Sequence, residues 1–192
     1  MYKFQQMNES NKNITSRDIS DANKWFADQA GQLNSTETDP FRMFKDVGAP
    51  TIGKMYFFVY DPKTKNDLPY YDRFPLVIPL KRTPDGFIGL NLHYLPLRYR
   101  LIFLRKLLPF AIYNDEDEIK RLRITYPMLD ASSKFKEFKP CIKQYLYPHI
   151  KSRILAVQHN EWDIAVFLPI QQFKKAQPRE VWKDSIEEIR KS

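Results

Sequence analysis

Cysteine is almost absent from this chain of 192 residues, in which Cys141 stands alone. A single thiol excludes an intramolecular disulfide framework and a cysteine-based zinc site, and it fits synthesis in a reducing cytosol. Glycine is scarce, at 5 residues, so few positions are free to take positive φ and a glycine-rich phosphate loop is not expected. Apolar runs are short. None approaches the ~18 residues needed to cross a membrane, and no hydrophobic signal region opens the N-terminus, so no membrane association is expected. The longest runs, such as Met55 to Tyr60, have the length of a strand.

Recognisable catalytic patterns are missing too. There is no G-x-S-x-G and no Walker sequence. The histidines, His93, His149 and His159, include no pair at the i, i+4 spacing that suits zinc on a helix. Acidic pairs such as Asp61 with Asp72, and the run Asp115 to Glu118, are read as turn carboxylates accepting backbone N–H groups. Cys141 opens an apolar stripe and is read as core rather than nucleophile. A protein without enzymatic activity and without a cofactor is expected.

What the chain does have is aromatic and basic. Phe, Tyr and Trp make up 15% of it and hydrophobic residues 43%, more than a disordered chain carries, so a packed core is expected. Proline, at 14 residues, fixes many segment ends. The formal net charge is +8. Residues 1–50 are close to neutral, so the positive excess falls on residues 51–192, a field that favours phosphate backbones or acidic protein surfaces.

Residues 1–50 are polar. Ile19, Ala22, Trp25, Phe26 and Ala30 recur at helical spacing behind a cap at Asp18 or Ser20. A second apolar cluster contains Phe41, Met43 and Phe44. Such a segment cannot bury its aromatics alone, so Trp25, Phe26, Phe41 and Phe44 are expected to dock the arm on its own core or on a neighbour.

The pattern changes at Ile52. Lys54 to Tyr60 is a dense β-forming run closed by the turn signal Asp61-Pro62. An irregular loop follows over Leu68 to Phe74, then a strand over Pro75 to Leu80. Thr83-Pro84-Asp85-Gly86 makes a hairpin, with Gly86 expected at positive φ. In the next strand, Phe87, Gly89, Asn91 and His93 share one face, and Ile88, Leu90, Leu92 and Tyr94 the other. Helices are expected after Pro96 and after Pro140, and over Glu161 to Leu168; a closing strand is expected over Ser152 to Gln158. The end of the chain reads as a charged helix without a large apolar face. The expected architecture is α+β: a small SH3-like antiparallel β-barrel with helical insertions and extended terminal arms. Its parts are a polar N-terminal arm (1–50), a core domain (51–173) and a polar C-terminal tail (174–192).

The strongest constellation for function is basic with interleaved aromatics. Lys134, Lys136, Lys139, Lys143, Lys151 and Arg153 stand against a single acid, Glu137, and Arg98 and Arg100 form a second patch. Cations alternating with Tyr and Phe suit a surface that tracks phosphates. The same residues would equally serve as solvated faces whose stems cover a core. No helix-turn-helix, zinc-finger or ribonucleoprotein motif is present, so readout of bases is not indicated.

The run G-K-M-Y-F-F-V-Y-D-P-K-T-K-N-D-L-P-Y-Y-D-R-F-P-L-V-I-P-L (Gly53 to Leu80) is distinctive. Together with G-F-I-G-L-N-L-H-Y-L-P, L-R-I-T-Y and C-I-K-Q-Y-L, it resembles virion proteins of T4-like tailed phages, of the DNA end protector or head-completion type. The likeness spans roughly residues 52–170. It implies a virion protein made in the host cytoplasm and placed near the head–tail junction, where it shields the packaged DNA terminus. Its implied partners are the backbone of double-stranded DNA and other virion proteins of the portal, neck or tail. A tail or baseplate connector without DNA contact and a metal-dependent nuclease stand as alternatives.

Overall fold

In a computed structural model of the chain the described residues are 50–103, 136–157, 162–167 and 170–191. The arm residues Trp25, Phe26, Phe41 and Phe44, and Lys134, lie outside them. The main sheet has the order β5-β4-β3-β1-β6. Its strands are β1 (Met55–Phe57), β3 (Leu76–Thr83), β4 (Gly86–Asn91), β5 (Ile142–Leu146) and β6 (Leu155–Val157). A two-stranded ribbon pairs β2 (Tyr71–Asp72) with β7 (Phe173–Lys174). Among the described residues all pairings are antiparallel.

Period-two alternation explains how the sheet buries both faces. Met55 and Phe57 of β1, Leu76 and Ile78 of β3, and Leu90 of β4 point into the larger core. Tyr56, Val77 and Phe87 point the other way, where they join Phe58, Tyr60, Tyr145 and Ile150 in a second cluster. Pro79 sits inside β3 because the register shifts at that point, between Pro79 and Lys81. A proline that cannot donate to the ladder is tolerated at such an irregularity.

Helices close the larger core. One runs over 97–103 (α1), with the Tyr99 and Arg100 amides both donating to the Pro96 carbonyl. The others are α2 (Trp162–Phe167) and α3 (Pro178–Lys191). Trp162, Ala165 and Val166 of α2 and Val181 of α3 are buried in that core. The α+β class is therefore correct, but the barrel does not close. β5 and β6 are the two outer strands, and β6 pairs with β1. The apolar face that a barrel would cover with its own strands is covered by helices.

Three local expectations are corrected. The segment after Pro140 is the strand β5 rather than a helix, since β4 needs an edge partner for its backbone groups and Phe87 pairs with Tyr145. Gly86 does not adopt positive φ, which among the described residues is confined to Gly53 and Lys175. It is required for a different reason: a Cβ there would lie 1.9 Å from the Tyr145 carbonyl oxygen. The C-terminal helix has an inward face, with Val181 and Ser185 buried and Ile189 packed against the core. Among the described residues no helix is long and apolar enough to cross a membrane.

Candidate nucleic-acid interface

The cations singled out in the sequence fare differently once folded. Lys139 is exposed in the 3-10 segment Lys136–Cys141 that leads into β5. Lys151 and Arg153 are exposed on the connection from β5 to β6. That connection runs from one edge of the sheet to the other, with Tyr147, Ile150 and Ile154 packed on the smaller core. Neighbours in sequence are thus spread over the molecule. Arg98 is exposed on α1, with its guanidinium 5.3 Å from the Tyr99 ring centre. Among the described residues none of these four pairs with a carboxylate. Of Lys136 only the backbone is described.

Arg100 is not a surface cation, and as a phosphate contact it is a correction. It is 2% exposed. Its Nε donates to the Leu95 carbonyl at 2.7 Å, and its terminal nitrogens donate to the carbonyls of His93 and Val166 and to Gln171 Oε1. Four of its five N–H donors are spent on the protein, and the side chain is closed off from solvent. Burial lowers its pKa to about 10, which leaves it charged at neutral pH.

Beside it lies a buried polar network that sequence reading missed. The Asp72 carboxylate accepts from His93 Nδ1 at 2.7 Å and Asn91 Nδ2 at 3.1 Å on one oxygen. Its other oxygen accepts the amides of Phe74 and Gln172. Asn91 Oδ1 in turn accepts the His93 amide and caps the 3-10 turn Leu92–Tyr94. Burial drives the His93 pKa down against the pull of Asp72, so the ring is neutral with its proton on Nδ1. Desolvation pushes the Asp72 carboxyl upward, but the paired ring and the donors outweigh it and hold the pKa low. His93 Nε2 is buried without a hydrogen-bond partner among the described residues.

An Asp–His pair of this kind can orient an imidazole as a base, but this ring is fully buried and no substrate reaches Nε2. Its evident work is structural. Asp72 ties the β2–β7 ribbon to the end of β4, and the His93 carbonyl accepts Trp182 Nε1 of α3 at 2.9 Å. Asp61 forms an exposed ion pair with Lys65 at 2.9 Å. Cys141 is buried, and burial pushes its thiol up to about 12, as befits a core position.

Lys143 occupies a place between these extremes. It is half-buried on β5, with Nζ 4.2 Å from the centre of the Tyr94 ring. Desolvation lowers its pKa, and among the described residues no carboxylate pairs with it. It lines a cleft of about 600 Å³ between β5, the 3-10 turn after β4 and the loop from Tyr60 to Asp72. Tyr60, Tyr70, Tyr71, Tyr94 and Tyr145 line the same cleft. The pair Tyr70-Tyr71 was visible in the sequence; what no local pattern could supply was that β5 lies opposite it.

Neither the curated proteins nor the solved structures contain a match to this chain. A family model, described as phage T4 terminal DNA protecting protein, matches residues 3–185 and so takes in the N-terminal arm and most of α3, beyond the 52–170 expected. The chain is a member of that family, a DNA end protector of the T4-like type.

Proposed function

We propose that the chain binds the end of a linear double-stranded DNA through its phosphate backbone and shields it, without catalysis, as a component of a phage particle near the head–tail junction. The family match over residues 3–185 carries this reading. The placement of charge supports it: Lys139, Lys151, Arg153 and Arg98 are exposed and without acidic partners among the described residues. Such cations contact phosphates without reading sequence, which suits a protein that meets any terminus. Virion proteins of the portal, neck or tail are its proposed neighbours, and the arm residues Trp25, Phe26, Phe41 and Phe44 the proposed contact to them.

The test is protection against an exonuclease. Added at a stoichiometric ratio to ends, the full chain should slow digestion of a linear duplex while leaving endonuclease cutting of a closed circle unchanged. Equal digestion of the linear duplex with and without the protein would overturn the reading. A connector without DNA contact predicts that equality.

A further inference from the structure

Exposed cations explain affinity for duplex DNA anywhere along its length; protection of a terminus needs something that only a terminus can enter. The cleft beside Lys143 has the features for that. Its volume, about 600 Å³, lies within the range of about 300–1,000 Å³ that holds one small molecule. It is too small for a duplex, whose major groove alone is about 12 Å wide.

The lining sorts into used and unused groups. Tyr145 is stacked on Phe87 at 5.4 Å and meets Tyr60 edge-on, so both rings are committed to the core. Tyr94 has Lys143 over its face and Phe173 at its edge. Tyr71 is half-buried and, among the described residues, touches no other ring. Lys143 is half-buried with the Tyr94 ring beside its ammonium and the Glu188 carboxylate near enough to favour its charge, and neither it nor Lys63, exposed at the mouth, forms an ion pair among the described residues. Of the two carboxylates on the lining, Asp72 is saturated by four protein donors. Asp85 is exposed on the β3–β4 turn, where solvent and salt screen it. An aromatic face beside two ammonium groups at different depths, neither ion-paired among the described residues, matches a base with its phosphate.

We infer that this cleft receives the terminal nucleotide of a DNA strand, frayed from the duplex, with its base against Tyr71 and its phosphate between Lys143 and Lys63. The inference rests on the end-protection reading and adds the element that distinguishes an end from a backbone. The duplex behind the end then lies along the exposed cations.

The experiment uses the full chain and a short duplex carrying 2-aminopurine either at its terminal base or in its middle. Stacking on Tyr71 should quench the terminal probe and leave the interior one unchanged. The linear duplex should also bind about tenfold more tightly than a minicircle of the same sequence, the size expected of one stacked base. Tyr71→Leu, Lys143→Gln and the surface change Lys63→Gln should each erase the quenching and the preference for the linear form. Equal response of the two probes, or equal affinity for linear and circular DNA, overturns the cleft while DNA binding itself stands. Displacement of the duplex by a free deoxynucleotide, without preference for ends, overturns it likewise. Binding to neither DNA overturns both readings.

Discussion

Asp72, Asn91, His93 and Arg100 show how few residues hold the elements in register. Removing any one leaves others buried without partners, which costs more than the bond itself contributed. The network also sets a pH dependence. The folded-state pKa of His93 is depressed by burial, with Arg100 acting in the same direction and Asp72 against it. In the unfolded chain its imidazole takes up a proton as pH falls through about 6.5. The unfolded state then binds more protons, so stability present above that pH is lost as the pH falls below it. Asp72, also depressed, adds a loss of the same sign below about pH 4. The urea midpoint should therefore drop between pH 7 and pH 5, and His93→Gln should flatten that slope. A midpoint that rises on acidification would contradict the assignment of a neutral ring.

At the scale of elements, the decisive feature is the close approach of β4 and β5. At Gly86 a Cβ would lie 1.9 Å from the Tyr145 carbonyl oxygen of β5, while at Gly89 it would meet Val77 Cγ1 of β3 on the other side at 2.4 Å. The first obstacle is backbone and cannot turn aside. Gly86→Ala should therefore push β5 away from β4 and cost at least about 1–3 kcal/mol, the usual penalty for overpacking. Urea denaturation measures the loss, and amide exchange should show it concentrated at 142–146. An unchanged midpoint would mean that the two strands can separate without cost. The same pairing explains why the stretch Cys141, Ile142, Tyr145 and Leu146 misleads as a helical stripe. Those spacings fit a helix equally, and only the partner strand, far away in sequence, decides between the two.

For the whole molecule, charge and topology act together. The folding of 147–154 across the smaller core separates Lys151 and Arg153 from Lys139, so a basic run in sequence becomes several separate cations on a broad surface. Each should release counterions independently. The triple variant Lys139→Gln, Lys151→Gln, Arg153→Gln should flatten the log–log salt dependence of duplex binding by about 0.9 for each phosphate no longer neutralised. Thermal stability should not change, because all three side chains are exposed. A slope equal to that of the unaltered chain would remove these residues from the interface.

Composition and local pattern alone established the α+β class, the β3–β4 hairpin, the face alternation of β4 and the core role of Cys141. Each of these depends on period, turn chemistry or residue type within a few positions. Tertiary structure decided what depends on distant partners. It turned Arg100 inward to bond the carbonyls of His93, Leu95 and Val166, replaced the expected barrel wall with helices, and opened the Lys143 cleft between residues far apart in the chain. A charge in a sequence has no side; burial assigns one, and it did so differently for Arg98 and Arg100, two residues apart on one helix.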